Sequence, residues 1–297
     1  MNTRRSLCVI LIASLLLAGC GSAESSTAES KAPEAASQAA EEETKAELAE
    51  GFYRIAQGAA LMDDAHDVLS NSTERICYGK PDGNGGLRVD IPYSTGVNEL
   101  NEAQYEYRTF TVSEPEKLTA LSADEVRQTV VDYALAMSEK PNQTYELSGE
   151  YVGDTETRSD CSGMTELAYL QVGIYLEHYA DAQANGENAE IVFDNISYIG
   201  DTDGIETYHV NDPSARVDYS KLEKGDLLFF LCATNSSSDN DLFSDDGIGH
   251  VAMYIGDGRM VHFTADYDLT NNPCRTEDLE DYQDRVLPVV RAVRYIK

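Results

Sequence analysis

Three residues in the second half of this chain have the types and settings that nucleophilic acyl chemistry needs: Cys161, His250 and His262. Cys161 stands in Ser159-Asp160-Cys161-Ser162-Gly163, directly ahead of Met164-Thr165-Glu166-Leu167-Ala168-Tyr169-Leu170. In that second run Met164, Leu167, Ala168 and Leu170 give an amphipathic helix. The cysteine is therefore expected at a helix N-terminus, where unpaired N–H groups and the positive end of the dipole stabilise a thiolate. Such placement lowers a thiol pKa from about 8.5 into the range of roughly 3.5–7.5. A cysteine beside an aspartate cap is also the pattern of a buried structural thiol. A base within reach is what favours chemistry.

Two strands supply that base. Asp226-Leu227-Leu228-Phe229-Phe230-Leu231 reads as a buried strand, and Gly249-His250-Val251-Ala252-Met253-Tyr254-Ile255 as a second. Arg259-Met260-Val261-His262-Phe263 returns after Gly256-Asp257-Gly258. An ideal two-residue turn at Asp257-Gly258 sets the two imidazoles on opposite faces. A three-residue loop, with Gly258 in the left-handed conformation, pairs His262 with Ala252 and brings it onto the face of His250. The bulged loop is therefore expected. Cys161 then attacks a carbonyl, and His250 takes the thiol proton and returns it to the leaving amine. His262 holds His250 in the useful tautomer, and the Cys161 backbone N–H is an oxyanion donor. Either histidine alone reads more simply as a core or edge residue; the three together do not.

These segments resemble NlpC-type bacterial cell-wall cysteine peptidases. The resemblance rests on Asp160-Cys161-Ser162-Gly163 with its helix, Gly225-Asp226-Leu227-Leu228-Phe229-Phe230, Gly249-His250-Val251-Ala252-Met253-Tyr254-Ile255-Gly256 and Met260-Val261-His262. It covers roughly residues 122–297 and is specific in combination. It implies an α+β, papain-like fold with a helix-borne cysteine packed on an antiparallel sheet. It also implies hydrolysis of peptidoglycan stem peptides, in that family usually between the γ-carboxyl of D-glutamate and diaminopimelate or lysine. Asp160 and Ser162 match positions that help bind the stem peptide, and a family tyrosine upstream of the cysteine shares the task. Here Tyr145 and Tyr151 both compete for that tyrosine's place, Tyr145 being preferred. No cofactor or metal is implied.

The remaining chain organises around this domain. Arg4 and Arg5 precede the apolar run Leu7 to Ala18, too short to span a bilayer and laid out as a secretory signal. It ends in Leu17-Ala18-Gly19-Cys20, which resembles the lipobox of bacterial lipoproteins and implies a diacylglycerol on Cys20. The expected organisation is a signal peptide over 1–19, a lipid-anchored Ala/Ser/Glu-rich tether over 20–47, an N-terminal extension of unknown role over 48–121 and the peptidase domain over 122–297. In the extension, the spacing of Leu48, Phe52, Ile55, Ala59 and Met62 predicts a helix over 48–70, and short strands follow over 75–118 around the turn at 82–86. Ser122-Ala123-Asp124-Glu125 opens a helix that stops before Pro141.

With 22 basic against 53 acidic residues, the chain lacks the basic footprint that nucleic acid requires, and an anionic bilayer is no partner for the folded part. The membrane is met through the lipid alone, on the outer face of an exported protein facing the wall. Cys77, Cys161, Cys232 and Cys274 remain after Cys8 and Cys20, with a Cys77–Cys274 bridge and free buried thiols both open. No cluster has zinc spacing, and the acidic loop 234–247 reads as solvated. About forty residues, 181–220, are inserted after the nucleophile helix. His66, His178 and His209 read as surface or structural, and Arg158 as a surface residue. Two further functions stay open: an N-acetylmuramoyl-alanine amidase or other acyl transfer with the same residues, and an inactive wall-binding surface lipoprotein.

Overall fold

Among the described residues six antiparallel strands open the folded part: β1 (Gly51–Ile55), β2 (Leu61–Met62), β3 (Arg75–Pro81), β4 (Leu87–Val97), β5 (Ala103–Val112) and β6 (Leu118–Leu121), in the order β2-β5-β4-β3-β1-β6. The computed structural model describes residues 48–56, 61–62, 75–97, 103–146, 156–202, 205–231, 247–265 and 272–297. The signal, the tether, Cys20, His66, Tyr151, Cys232 and the acidic loop lie outside these, apart from Gly247.

The helix expected over 48–70 is not formed in the described residues; Gly51–Ile55 is a strand. Alternation explains the difference. Tyr53 and Ile55 point into a small core with Cys77, Leu87, Val89, Ile91, Phe110 and Val112. Phe52, on the opposite face, packs with Ile76 into the cluster that contains Cys161 and Met164. A strand buried on both faces shows apolar residues at every spacing, so Phe52 and Ile55 imitated a helical pair. Among its described residues the extension is thus a sheet of strands with a 3-10 turn at Pro115–Lys117, and Phe52 and Ile76 pack it against the domain that carries Cys161.

Helix α1 (Ala123–Ser138) follows, capped by Ser122 in a reciprocal capping box with Glu125. Next come β7 (Thr144–Tyr145), β8 (Arg158–Ser159), α2 (Cys161–Leu170) and α3 (Ala180–Ala184). The inserted segment contributes α3, β9 (Glu190–Asp194) and a hairpin of β10 (Ile196–Thr202) and β11 (Ile205–Val210). The chain closes with β12 (Leu227–Leu231), β13 (Ile248–Gly256), β14 (Arg259–Phe263), β15 (Cys274–Asp278), α4 (Leu279–Arg285) and β16 (Arg291–Arg294). These strands form a second antiparallel sheet, β15-β14-β13-β12-β16-β9.

This sheet is covered on both faces. Leu227, Phe229, Leu231, Val251, Met253, Val261 and Phe263 pack with the residues of α1 and α2. Leu228, Phe230, Ala252, Tyr254 and Met260 pack with Leu279, Tyr282 and Val289. That two-sided burial is why β12 is apolar at every position. The architecture is α+β and papain-like, with the cysteine at the start of a buried helix against an antiparallel sheet.

Candidate active site

The nucleophile candidate is set by its cap. Asp160 is the N-cap of α2, and its Oδ1 accepts from the Gly163 N–H at 2.9 Å and from the Ser162 hydroxyl at 2.9 Å. Met164, Ala168 and Tyr169 are fully buried beneath the helix, and the Tyr169 hydroxyl donates to the Gly225 carbonyl at 2.7 Å. Cys161 is therefore the first residue of a rigid element. The thiol itself is buried, and burial pushes it up to about 12, with the Asp160 charge adding in the same direction. The Val251 and Ser162 N–H groups and the Tyr145 hydroxyl bond to the sulfur and pull the other way. The lowered thiol pKa expected from the helix terminus is thus corrected: at 5% exposure, desolvation outweighs the donors.

Tyr145 reaches the sulfur through a short parallel bridge. β7 pairs with β8 so that Tyr145 lies opposite Ser159, two residues before Cys161. Its ring packs on Phe263 with centroids 6.2 Å apart.

The histidines meet as a pair. Met253 is opposite Val261, which sets His262 across from Ala252. The turn is a correction in detail. Gly256 pairs with Arg259 around a two-residue turn, and the extra residue is absorbed as a bulge between Tyr254 and Gly256. Positive φ at Gly256 (97°), Asp257 (52°) and Gly258 (70°) marks this tight reversal. The consequence for the site is unchanged, because one extra residue on β13 still brings both rings to one face. His250 Nε2 lies 3.0 Å from His262 Nδ1. His262 Nε2 in turn lies 3.3 Å from Glu277 Oε1. The Tyr282 ring meets His262 edge-on at 5.2 Å, and Phe230 lies 5.7 Å from His250. Burial first, then the neighbouring His262, holds the His250 imidazolium pKa well below 6.5.

Two features of the neighbourhood had no sequence signal. Glu277 and Tyr282 lie beyond the last motif, on β15 and α4, and reach His262 because β15 pairs with β14. His178 is only 11% exposed rather than a surface residue. Its Nδ1 lies 3.0 Å from Glu166 Oε2, and its Nε2 lies 3.8 Å from Asp160 Oδ2. The buried Gln183, from the inserted segment, donates to the Ser162 carbonyl at 3.0 Å and accepts from Thr165 at 2.7 Å. The insertion therefore braces the helix that begins at Cys161 as well as following it.

Cys77, Cys161 and Cys274 are free and buried, so the Cys77–Cys274 bridge is not made. Cys77 belongs to the core of the N-terminal sheet, while the Cys274 sulfur lies 3.9 Å from that of Met164. Among the described residues no group of three or more His, Cys, Asp or Glu is arranged to hold a metal ion, and no helix is long and apolar enough to cross a membrane.

The NlpC/P60 family model matches residues 144–287. No curated protein matches the chain. Among solved structures, an NlpC/P60 family protein from Bacillus cereus is 18% identical with a TM-score of 0.36, aligned over 84% of this chain and 64% of that one. The chain thus spans less than two thirds of that protein. NlpC2 from Trichomonas vaginalis is 15% identical with a TM-score of 0.38, over 84% and 98% of the two chains. The peptidoglycan hydrolase RipB from Mycobacterium tuberculosis is 16% identical with a TM-score of 0.33, over 59% and 67%. Residues 144–287, which carry the capped cysteine helix and the paired histidines, form a domain of the NlpC/P60 family.

Proposed function

We propose that this chain is a peptidoglycan hydrolase, a cysteine endopeptidase that cleaves stem peptides between the γ-carboxyl of D-glutamate and diaminopimelate or lysine. The observation that carries the reading is one convergence. Cys161 opens α2 and packs in one core with Val251, the residue next to His250, and His250 is bonded at 3.0 Å to His262.

In this reading thiol and imidazole rest neutral, because burial disfavours the charge on each. The proton passes from Cys161 to His250 as the sulfur attacks the γ-glutamyl carbonyl carbon. The tetrahedral oxyanion is met by backbone N–H groups at the start of α2, and His250 returns the proton to the departing amine. A water, activated by the same imidazole, then hydrolyses the thioester. Asp160, Ser162 and Tyr145 border the sulfur, and the same proposal assigns them to the stem peptide; Asp160 also caps the helix, and the Ser162 hydroxyl donates to it. The proposal further has the chain exported and held to the outer face of a bacterial membrane by a lipid on Cys20, with 20–47 as tether. The sequence Leu17-Ala18-Gly19-Cys20 after an apolar run supports that part.

The test is mass-spectrometric product analysis of purified muropeptides incubated with the full chain and with Cys161→Ala. Cleavage at the D-glutamyl bond, lost in the variant, is the expected result. Cysteine-dependent release of the whole stem from the sugar would replace it with an amidase. No cysteine-dependent product from any stem type would refute hydrolysis and leave a wall-binding role.

A further inference from the structure

We propose that Glu277 is a positioning residue whose carboxylate fixes the tautomer of His262 and, through it, leaves His250 Nδ1, the ring nitrogen that His262 does not engage, as the proton acceptor. The inference rests on the roles just proposed for Cys161 and His250.

The argument is a count of protons along a chain of contacts. Two neutral imidazoles joined through His250 Nε2 and His262 Nδ1 at 3.0 Å share one hydrogen in that contact. Either ring can be the donor, and the two choices have opposite consequences. If His262 donates from Nδ1, His250 Nε2 is an acceptor and the His250 hydrogen sits on Nδ1, where no thiol proton can then be received. If His250 donates from Nε2, its Nδ1 carries a lone pair and is a base.

Glu277 decides between them. Its Oε1 lies 3.3 Å from His262 Nε2. An ionised carboxylate accepts and does not donate, so His262 Nε2 must carry the hydrogen. His262 then accepts at Nδ1, and His250 donates from Nε2. His262 is fully buried, so the alternative tautomer would set a lone pair against a carboxylate away from bulk water.

The carboxylate is itself fixed. Arg275 Nε donates to Oε1 at 2.6 Å and Arg285 donates to Oε2 at 2.8 Å, so both oxygens are oriented. The bonds from His262 and Arg275 hold the acid at about 2, ionised throughout the neutral range. The charged and titratable groups around the histidine pair are Cys161 at the start of α2, Arg275 and Glu277 on β15, and Tyr282 and Arg285 on α4. Of these, Glu277 is bonded to His262 Nε2, at 3.3 Å. Its negative charge also favours the imidazolium that forms on His250 during attack.

The experiment compares the full chain with Glu277→Ala and Glu277→Gln by three readouts. Imidazole nitrogen chemical shifts report the tautomer of His262. The pH dependence of Cys161 alkylation by iodoacetamide reports the base without needing a substrate. Muropeptide turnover separates kcat from KM. In Glu277→Ala, His262 should leave the pure Nε2–H form, alkylation at pH 7 and kcat should fall roughly ten- to a hundred-fold, and KM should hold. Glu277→Gln keeps an oxygen acceptor and loses the charge. It should retain the tautomer with a smaller loss of rate, and its acid limb should move to lower pH because the imidazolium has lost a stabilising anion.

An unchanged tautomer and an alkylation profile superposable on wild type in Glu277→Ala would overturn the proposal. Should that variant fail to fold, an unmoved acid limb in Glu277→Gln would overturn it as well. Alkylation that responds as expected, in a protein that cleaves no muropeptide, would leave the relay standing and remove the peptidoglycan reading. Cleavage that proceeds unaltered in Glu277→Ala would do the reverse.

Discussion

Substitution at Asp160 should separate two effects that one carboxylate combines. As N-cap it accepts from the Gly163 N–H and the Ser162 hydroxyl, each at 2.9 Å; as a charge it opposes ionisation of Cys161 beside it. Asp160→Asn keeps an oxygen at the cap and removes the charge. Asparagine caps about as well as aspartate, so the cost is the lost charge–dipole interaction, about 0.5 kcal/mol. Asp160→Ala removes the cap, about 1 kcal/mol, and strands a buried N–H, which brings the total to about 2 kcal/mol. At roughly 2–4 °C per kcal/mol for a chain of this size, the alanine variant should melt about 4–8 °C below wild type, and the asparagine variant within about 2 °C. Both variants lose the like charge, so Cys161 should ionise at lower pH in each. Calorimetry and the pH dependence of iodoacetamide alkylation, run on the same preparations, measure the two effects separately. Equal destabilisation by Asn and Ala would refute the capping argument. An asparagine profile that stays in place or moves upward would refute the electrostatic one.

Tyr145→Phe removes the hydroxyl that favours the Cys161 thiolate, so alkylation at pH 8 should slow by about ten-fold with little change in melting temperature; an unaltered rate would exclude that hydrogen bond. Arg294→Met should destabilise by about 3 kcal/mol at pH 7, because Asp226, bonded to Arg294 at 2.8 and 2.9 Å, would be left as a buried carboxylate. Burial already raises the Asp226 pKa, so protonation should shrink that deficit in acid, and urea titrations at pH 7 and 5 that give one deficit would contradict this. Burial raises the Cys274 thiol from 9.0 to about 12. The folded state therefore holds a proton that the unfolded chain releases, and the stability this gives is present below pH 9 and lost as pH rises towards 12. Cys274→Ala should flatten the fall in stability above pH 9 by one proton's worth, and identical slopes would refute it. Glu277 works in the other direction. Its pKa is lowered from 4.5 to about 2, so its contribution is present above pH 4.5 and should be lost between there and pH 2, a loss that Glu277→Gln should lack in acid titrations.

Some elements were legible because a local rule governs them. Ser122 with Glu125 specified a helix start by reciprocal hydrogen bonds, and Pro141 set its limit. Asp160 ahead of Cys161 marked a second start. The apolar run Leu227–Leu231 marked a strand with two buried faces. The N-terminal segment failed for a related reason. Phe52 serves one core and Tyr53 with Ile55 another, and a strand between two cores loses the alternation that would have identified it.

Residue types, caps and turn chemistry act over a few positions, so the sequence by itself determined where the cysteine helix begins, which strands carry the two histidines and that one extra residue would bring them to a common face. Tertiary structure alone decided how much water each group keeps. It buried Cys161 and half-buried His250, reversing the expected direction of the thiol shift, because desolvation depends on everything packed around a group and not on its neighbours in the chain. It also decided long-range pairing. β7 against β8 brought Tyr145 to the sulfur, and β15 against β14 brought Glu277 to His262. Such contacts form between segments whose sequences carry no mark of each other, since a strand edge is recognised by backbone hydrogen bonds that every residue except proline can make.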